Sequence, residues 1–217
     1  MNRIGIVRTA TVTGVAAALG LAAVVPALAA PAADPVTTVA DLNGDGELET
    51  VTAQLVGDDQ VISATVNGTY TSIHLPADSQ AGLEAPRVAD LNGDGRAELI
   101  VTQSVGANTT FFSALHFDGR NLSPVVGPDD QPFSLAEGGG VAAHLGYRCT
   151  PFEGGRAFAV VASENDDVSR PADRFTYSGT RTVYTLRDGA LSIQESTPIT
   201  ARPATDPLLA VDAASCA

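Results

Sequence analysis

Apolar residues along this chain fall in short runs broken by polar positions, and the runs come in matched sets. In the first set, Thr50–Val56 mixes β-branched and apolar residues. Gln60–Val66 follows, ends in Asn67-Gly68 and resumes over Thr69–Leu75. An Asn-Gly pair between two alternating runs predicts a hairpin with a tight turn. The second set places strands at Leu99–Thr102, Thr109–Phe117 and Leu122–Val126, the last two joined through Asp118-Gly119. The third places them at Arg181–Leu186 and Ala190–Gln194, joined through Asp188-Gly189. Between the sets, Pro76–Pro86 and Gly127–Gly140 are polar and rich in Gly and Pro, and read as loops. The pattern predicts strands, not helices.

Ahead of the first two sets stands a repeated segment. Val39-Ala40-Asp41-Leu42-Asn43-Gly44-Asp45-Gly46-Glu47-Leu48-Glu49 matches Val88-Ala89-Asp90-Leu91-Asn92-Gly93-Asp94-Gly95-Arg96-Ala97-Glu98 at nine of eleven positions, 49 residues apart. Self-similarity at this spacing is the sequence signature of propeller blades and solenoid units.

The residue types in the repeated segment suit a hard cation. Asp41, Asn43 and Asp45, like Asp90, Asn92 and Asp94, occupy positions 1, 3 and 5. Their oxygens can curl around one point, and the glycine that follows permits the positive φ of a tight curl. Position 7, Glu47 or Arg96, offers a backbone carbonyl, which leaves its side chain free to vary. Glu49 or Glu98 at position 9 closes the set. Oxygen-only ligands favour Ca²⁺, since Mg²⁺ prefers a smaller octahedral site and Zn²⁺ prefers nitrogen or sulfur. An EF-hand is excluded. It requires an acidic residue at position 12 between two helices, and here Thr52 and Val101 stand there inside strand-like runs.

This D-x-N-G-D-G-x-x-E string between strands resembles the FG-GAP/VCBS calcium-binding repeats of integrin-like β-propellers, of the bacterial secreted kind. The resemblance implies an all-β fold of four-stranded antiparallel blades, with structural Ca²⁺ in about two sites between the first two strands of a blade. Such repeats usually carry Asp at position 9, where this chain has Glu49 and Glu98. A third, degenerate copy aligns Gly154–Val161 with Asp94–Val101; its ligand positions have become Thr150, Phe152, Gly154 and Phe158. The repeats are expected over about 36–82, 83–137 and 138–200. The tail 201–217 carries the apolar run Leu208–Val211, which could supply a closing strand. An open array and a ring completed by association are the alternatives, because propellers generally have four or more blades.

The N-terminal segment reads as a secretory signal over residues 1–29. Arg3 and Arg8 precede the apolar stretch Val12–Leu28, and Ala27-Leu28-Ala29 supplies the small-x-small cleavage pattern. The stretch is too short and too rich in Ala and Gly for a spanning helix. One β-repeat domain, 30–217, is therefore expected outside the cell, without membrane insertion. Export decides the cysteines: in an oxidising compartment Cys149 and Cys216 are expected to bond to each other.

Of 217 residues, 25 are acidic and 12 are basic, all Arg, a net charge of −13. Without the leader the charge is −15, and seven carboxylates lie in the two repeated loops. This excludes a nucleic-acid partner, which needs clustered positive charge. His74, His116 and His144 have no metal-binding spacing, and Gly138-Gly139-Gly140 reads as a flexible connection. The pairs Asp58-Asp59, Asp129-Asp130 and Asp166-Asp167 read as solvated turns. No catalytic constellation stands out. The leading functional expectation is a secreted calcium-binding module for an extracellular protein or glycan. An extracellular hydrolase with its site assembled from the acidic turns, and a structural envelope-associated protein, are the alternatives.

Overall fold

A computed structural model describes residues 33–78, 80–153 and 155–217; the predicted leader lies outside them. Thirteen strands and three 3-10 turns make up the regular structure, with no α-helix among the described residues. Every strand-to-strand ladder is antiparallel.

The first blade runs β1 (Val36–Ala40), β2 (Glu49–Val56), β3 (Asp59–Val66) and β4 (Thr69–Pro76), paired in that order. Asn67 and Gly68 turn the hairpin at φ 49° and 75°, as the Asn-Gly signal requires. Val51, Ala53, Ile62, Ala64 and Leu75 bury one face, and Thr and Ser residues occupy the other. The second blade has β5 (Arg87–Ala89), β6 (Glu98–Val105) and β7 (Thr109–Phe117). Its fourth position is shared. β8 (Leu122–Pro124) pairs with the end of β7, and β9 (Ser134–Gly138) pairs with its beginning. β6 is buried without a break from Glu98 to Thr102, because blades cover it on both sides.

The third blade runs β10 (Ala143–Phe152), β11 (Gly155–Asn165), β12 (Thr176–Arg187) and β13 (Ala190–Pro203). A single pair, Leu145 with Gly138, joins it to the second blade as one nine-stranded sheet.

The core lies between blades. Leu42, Val51, Ile62 and Val66 of the first blade pack on Leu99, Val101 and Leu115 of the second. From the second blade's other side, Leu91, Ile100, Phe112 and Leu135 pack on Tyr147, Phe158 and Leu186 of the third. Each interface is a layer of buried side chains worth on the order of 2 kcal/mol apiece.

Four expectations are corrected. The segment 127–140 is not all loop. β9 forms there because Leu135, its one large apolar residue, is buried in the second interface, and Arg87 clamps Glu137 through both oxygens at 2.9 Å. The glycine run is packed rather than loose: Gly139 donates to the Asn108 carbonyl at 2.6 Å, and a Cβ on it would meet Ala143 at 2.5 Å. The tail adds no closing strand. Pro207 starts a 3-10 turn, Pro207–Leu209, capped when Asp206 accepts from Leu208 N at 2.9 Å, and a second turn follows at Ala213–Cys216. This tail covers the third blade's outer face, where Leu209 is buried against Val161, Tyr177 and Ile199. Gly146 admits Val211, which would lie 2.9 Å from any Cβ. β12 and β13 also run longer than predicted, since Thr, Ser and Gln at exposed positions hide their periodicity.

Cys149 and Cys216 form a disulfide, Cα atoms 5.0 Å apart, that fastens the tail across 67 residues of sequence. Closing so long a loop stabilises by about 4 kcal/mol at most in the chain-entropy model. The Cys149→Ser, Cys216→Ser double variant should therefore lose roughly 2 to 4 kcal/mol in chemical denaturation. Hydrogen exchange should quicken in residues 143–165 and 205–217 while blade one keeps its protection; uniform quickening would contradict this.

Candidate functional site

The two repeated segments form equivalent loops at one end of the blade seams. Ala40 pairs with Glu49 and Ala89 with Glu98, and the eight residues between them leave the ladder. In the third blade the same step lies between Cys149 and Phe158, but the ladder continues through Thr150–Ala157, Pro151–Arg156 and Phe152–Gly155. The residues that replaced the oxygen ligands zip into an ordinary hairpin. Gly154 lies outside the described residues.

In the first loop, Asp41 folds the backbone around its carboxylate. Oδ1 accepts from Gly44 N at 2.7 Å and Asp45 N at 3.2 Å, and Oδ2 accepts from Gly46 N at 2.8 Å. Gly44 and Gly46 sit at φ 78° and 84°, the left-handed region that the curl demands. Desolvation opposes the Asp41 charge but is outweighed by the backbone donors of Gly46, Gly44, Asp45 and Asn43, so its carboxyl titrates below the ordinary value. Asn43 Oδ1 accepts from Asp45 N at 3.0 Å, and Asp45 Oδ1 accepts from Glu47 N at 2.8 Å. The second loop repeats this: Asp90 accepts from Gly93 N at 2.6 Å and Gly95 N at 3.4 Å, and Asp94 from Arg96 N at 2.8 Å.

Positions 1, 3 and 5 thus accept from the loop's own amides. Position 9 does something the sequence did not announce. Glu49 Oε2 accepts from Leu42 N at 2.9 Å, and Glu98 Oε2 from Leu91 N at 2.7 Å. Each glutamate thereby pins a leucine that is fully buried between blades. The longer side chain, where an Asp is usual, reaches across the loop to do so. Glu98 is itself buried. Burial first, and then the charges of Asp94 and Asp90, push its carboxyl up to about 8, against the donors at Leu91 and its own amide. Phe158 fills the same position in the third copy, stacked on Tyr184 at 5.4 Å. Among the described residues, no three His, Cys, Asp or Glu side chains converge as a metal-holding group. A cation here would have to draw on carboxylate, amide and main-chain oxygens together.

Position 7 is not free to vary in the way its sequence suggests. The stem of Arg96 lies against Gly44 of the preceding loop, where an added Cβ would be 3.1 Å from Cγ. Arg156, at the same position in the third copy, lies against Gly93 of the second loop, 3.0 Å from an added Cβ. Backbone bonds run alongside: Ala97 N donates to Asp41 O at 2.7 Å, and Arg156 N to Asn92 O at 3.0 Å. Arg156 Nη1 also donates to Asp90 O at 2.7 Å, and Asp90 N donates to Cys216 O at 2.7 Å. Each loop is a seat for the next repeat. The available signal was Arg at position 7 in copies two and three, against Glu47 in the first copy.

The remaining candidates make local contacts. His74 meets exposed Asp59 at 3.2 Å, and His144 Nε2 lies 2.7 Å from Leu209 O beneath the tail. His116 packs on Gly189, and burial holds its pKa below the usual histidine value against the opposing Asp118 and Asp188. Asp129 and Asp167 accept from backbone amides two residues on, Gln131 and Ser169.

Gly93→Ala and Gly95→Ala separate this seating from the loop's own geometry. Both place a Cβ at positive φ, which costs roughly 1 to 2 kcal/mol. Only the Gly93 variant also presses on Arg156; a Cβ at Gly95 meets nothing within 4 Å. Gly93→Ala should be the less stable by a further 1 kcal/mol or so in denaturant titration, and equal losses would contradict the seating.

Residues 36–101 match the model of the FG-GAP-like repeat family, a span that holds the first blade, both acidic loops and the start of β6. No curated protein and no solved structure matches the chain. The matched segment is thus a repeat of FG-GAP type, in a chain whose described residues are all-β, antiparallel and blade-like.

Proposed function

We propose that the protein is a secreted, calcium-stabilised module that binds a protein or glycan outside the cell. The observation that carries the reading is the pair of acidic loops, curled by their own backbone donors and placed where one blade seats on the next. The donor set fits a hard cation. Asp41, Asn43, Asp45, the carbonyl of Glu47 and Glu49 would hold one Ca²⁺. Asp90, Asn92, Asp94, the carbonyl of Arg96 and Glu98 would hold the other. All are oxygens, as Ca²⁺ prefers. The bound ions would neutralise crowded carboxylates and stiffen the loops. Export is supported by the leader-like residues 1–29 and by the Cys149–Cys216 disulfide, which suits an oxidising compartment. The second and third copies differ in kind: the third relies on its hairpin and the disulfide where the others rely on the ion.

With Ca²⁺ near 1 mM and Kd between roughly 10⁻⁴ and 10⁻³ M, each site adds about 0.4 to 1.4 kcal/mol. Two sites should raise Tm by roughly 2 to 10 °C over chelator. The Asp45→Ala, Asp94→Ala variant should lose that shift. An unchanged Tm for the native chain with and without Ca²⁺ would leave the loops as metal-free turns and refute the proposal.

A further inference from the structure

The two ends of the blade array are finished differently, and the difference marks a surface. The third blade's outer face lies under the tail. Among the described residues, the first blade's outer face is exposed at Thr37, Thr65, Tyr70 and Ser72, with Ser63 buried between them, and carries hydroxyls in register. Thr37, Thr52, Ser63 and Ser72 form one rank across β1 to β4. In the next rank Val39 pairs with Thr50, and Thr65 pairs with Tyr70. A terminal repeat needs a polar outer face for solubility alone, which accounts for the hydroxyls. It does not account for Tyr70 and Leu48, each 65% exposed, or Val39, 53% exposed, on the same face.

We infer that this face binds a neutral glycan, with Tyr70 as the stacking platform. The inference rests on the reading of the protein as an extracellular binding module. The chemistry favours this occupant over others. The hydroxyl ranks repeat at the strand spacing of about 4.8 Å and supply donors and acceptors without charge. Tyr70 offers a rigid, amphipathic ring at little entropic cost. The face opens as a shallow depression of about 570 Å³, lined on one side by Leu48 and Thr50 and on the other by Thr65, Asn67 and Tyr70. That volume lies within the range of about 300 to 1,000 Å³ usual for small-ligand sites. The cavity beside the second loop, about 100 Å³, is too small for a sugar ring.

Charge narrows the class further. Glu47 and Glu49 stand in the lining, and no Arg does. A sulfated or uronic polysaccharide would meet like charge. A second copy of the chain is disfavoured as well, because Thr separates the three apolar side chains and no continuous apolar core is available to a dimer. The lining also includes the end of the first acidic loop, so the loop that would hold Ca²⁺ shapes the depression. Chelator should therefore weaken glycan binding through Glu47, Leu48 and Glu49.

The test is retention of the purified full chain on insoluble cellulose, chitin, xylan and peptidoglycan, with Ca²⁺ and with EDTA. The native protein should be retained on at least one of them. Tyr70→Ala should lower the affinity about tenfold or more, with its melting temperature unchanged because the side chain is exposed. Val168→Ser, an exposed apolar change elsewhere, should leave retention intact. Thr52→Val with Thr65→Val should weaken retention while keeping the fold. Retention indifferent to Tyr70→Ala would overturn this inference and leave the module reading standing. So would capture of an envelope protein with no polysaccharide bound, or a dimer in sedimentation that Tyr70→Ala dissolves. Failure to bind polysaccharide, envelope protein or whole cells would overturn the module reading itself.

Discussion

One aspartate in each loop performs two jobs that cannot be separated. The carboxylate of Asp41 takes up the backbone donors of Gly44, Asp45 and Gly46, which fixes the loop. The carbonyl of the same residue receives Ala97 N from the next repeat. Asp90 does likewise, with the guanidinium of Arg156 on its carbonyl. A loop that curled differently would present no seat, and the following blade would lose its register against the previous one. The glycines belong to the same constraint, because Gly44 and Gly93 combine a left-handed φ with the close approach of an arginine stem.

From these seats the packing follows. The leucine next to each aspartate, Leu42 or Leu91, drops into an inter-blade core, and the glutamate at position 9 holds its amide. Loop and core are thus joined through a single residue step. The third copy shows what replaces this when the acidic ligands are gone: the strands stay paired as far as Phe152 with Gly155, Phe158 fills the glutamate's place, and Cys149 ties the blade to the tail. The Cys216 carbonyl then closes the circuit by accepting from both Asp90 N and Arg156 Nη1. The disulfide therefore steadies the second loop as well as the third blade.

Much of this was legible in the sequence. Alternation and the Asn67-Gly68, Asp118-Gly119 and Asp188-Gly189 turns located most strands of the three blades, because a half-buried strand must alternate and a tight hairpin must tolerate positive φ. The loops were legible because few residue types can line so tight a curl. β1, β5, β9 and β10 were hidden: the first three are short with few large apolar residues, and β10 interrupts Leu145, Tyr147 and Phe152 with Gly146 and Pro151. β9 depends on Leu135 and on a partner edge supplied by β7, neither visible as local pattern. The tail looked like a strand from Leu208–Val211, but Pro207 and the cap at Asp206 turn it into 3-10 geometry. The arginines at position 7 and the glutamates at position 9 act between segments tens of residues apart, and local spacing does not encode their partners.

The claim that the loops form the spine of the array is tested most directly by native-state hydrogen exchange of three amides. Ala97, Arg156 and Asp90 lie in or beside loops, yet each donates across a repeat boundary at 2.7 to 3.0 Å. They should exchange as slowly as amides in the centres of β6 and β11, through opening of the whole array. Exchange at the rate of an exposed turn such as Gly119 would show that the loops do not seat the following repeats, and would contradict the account.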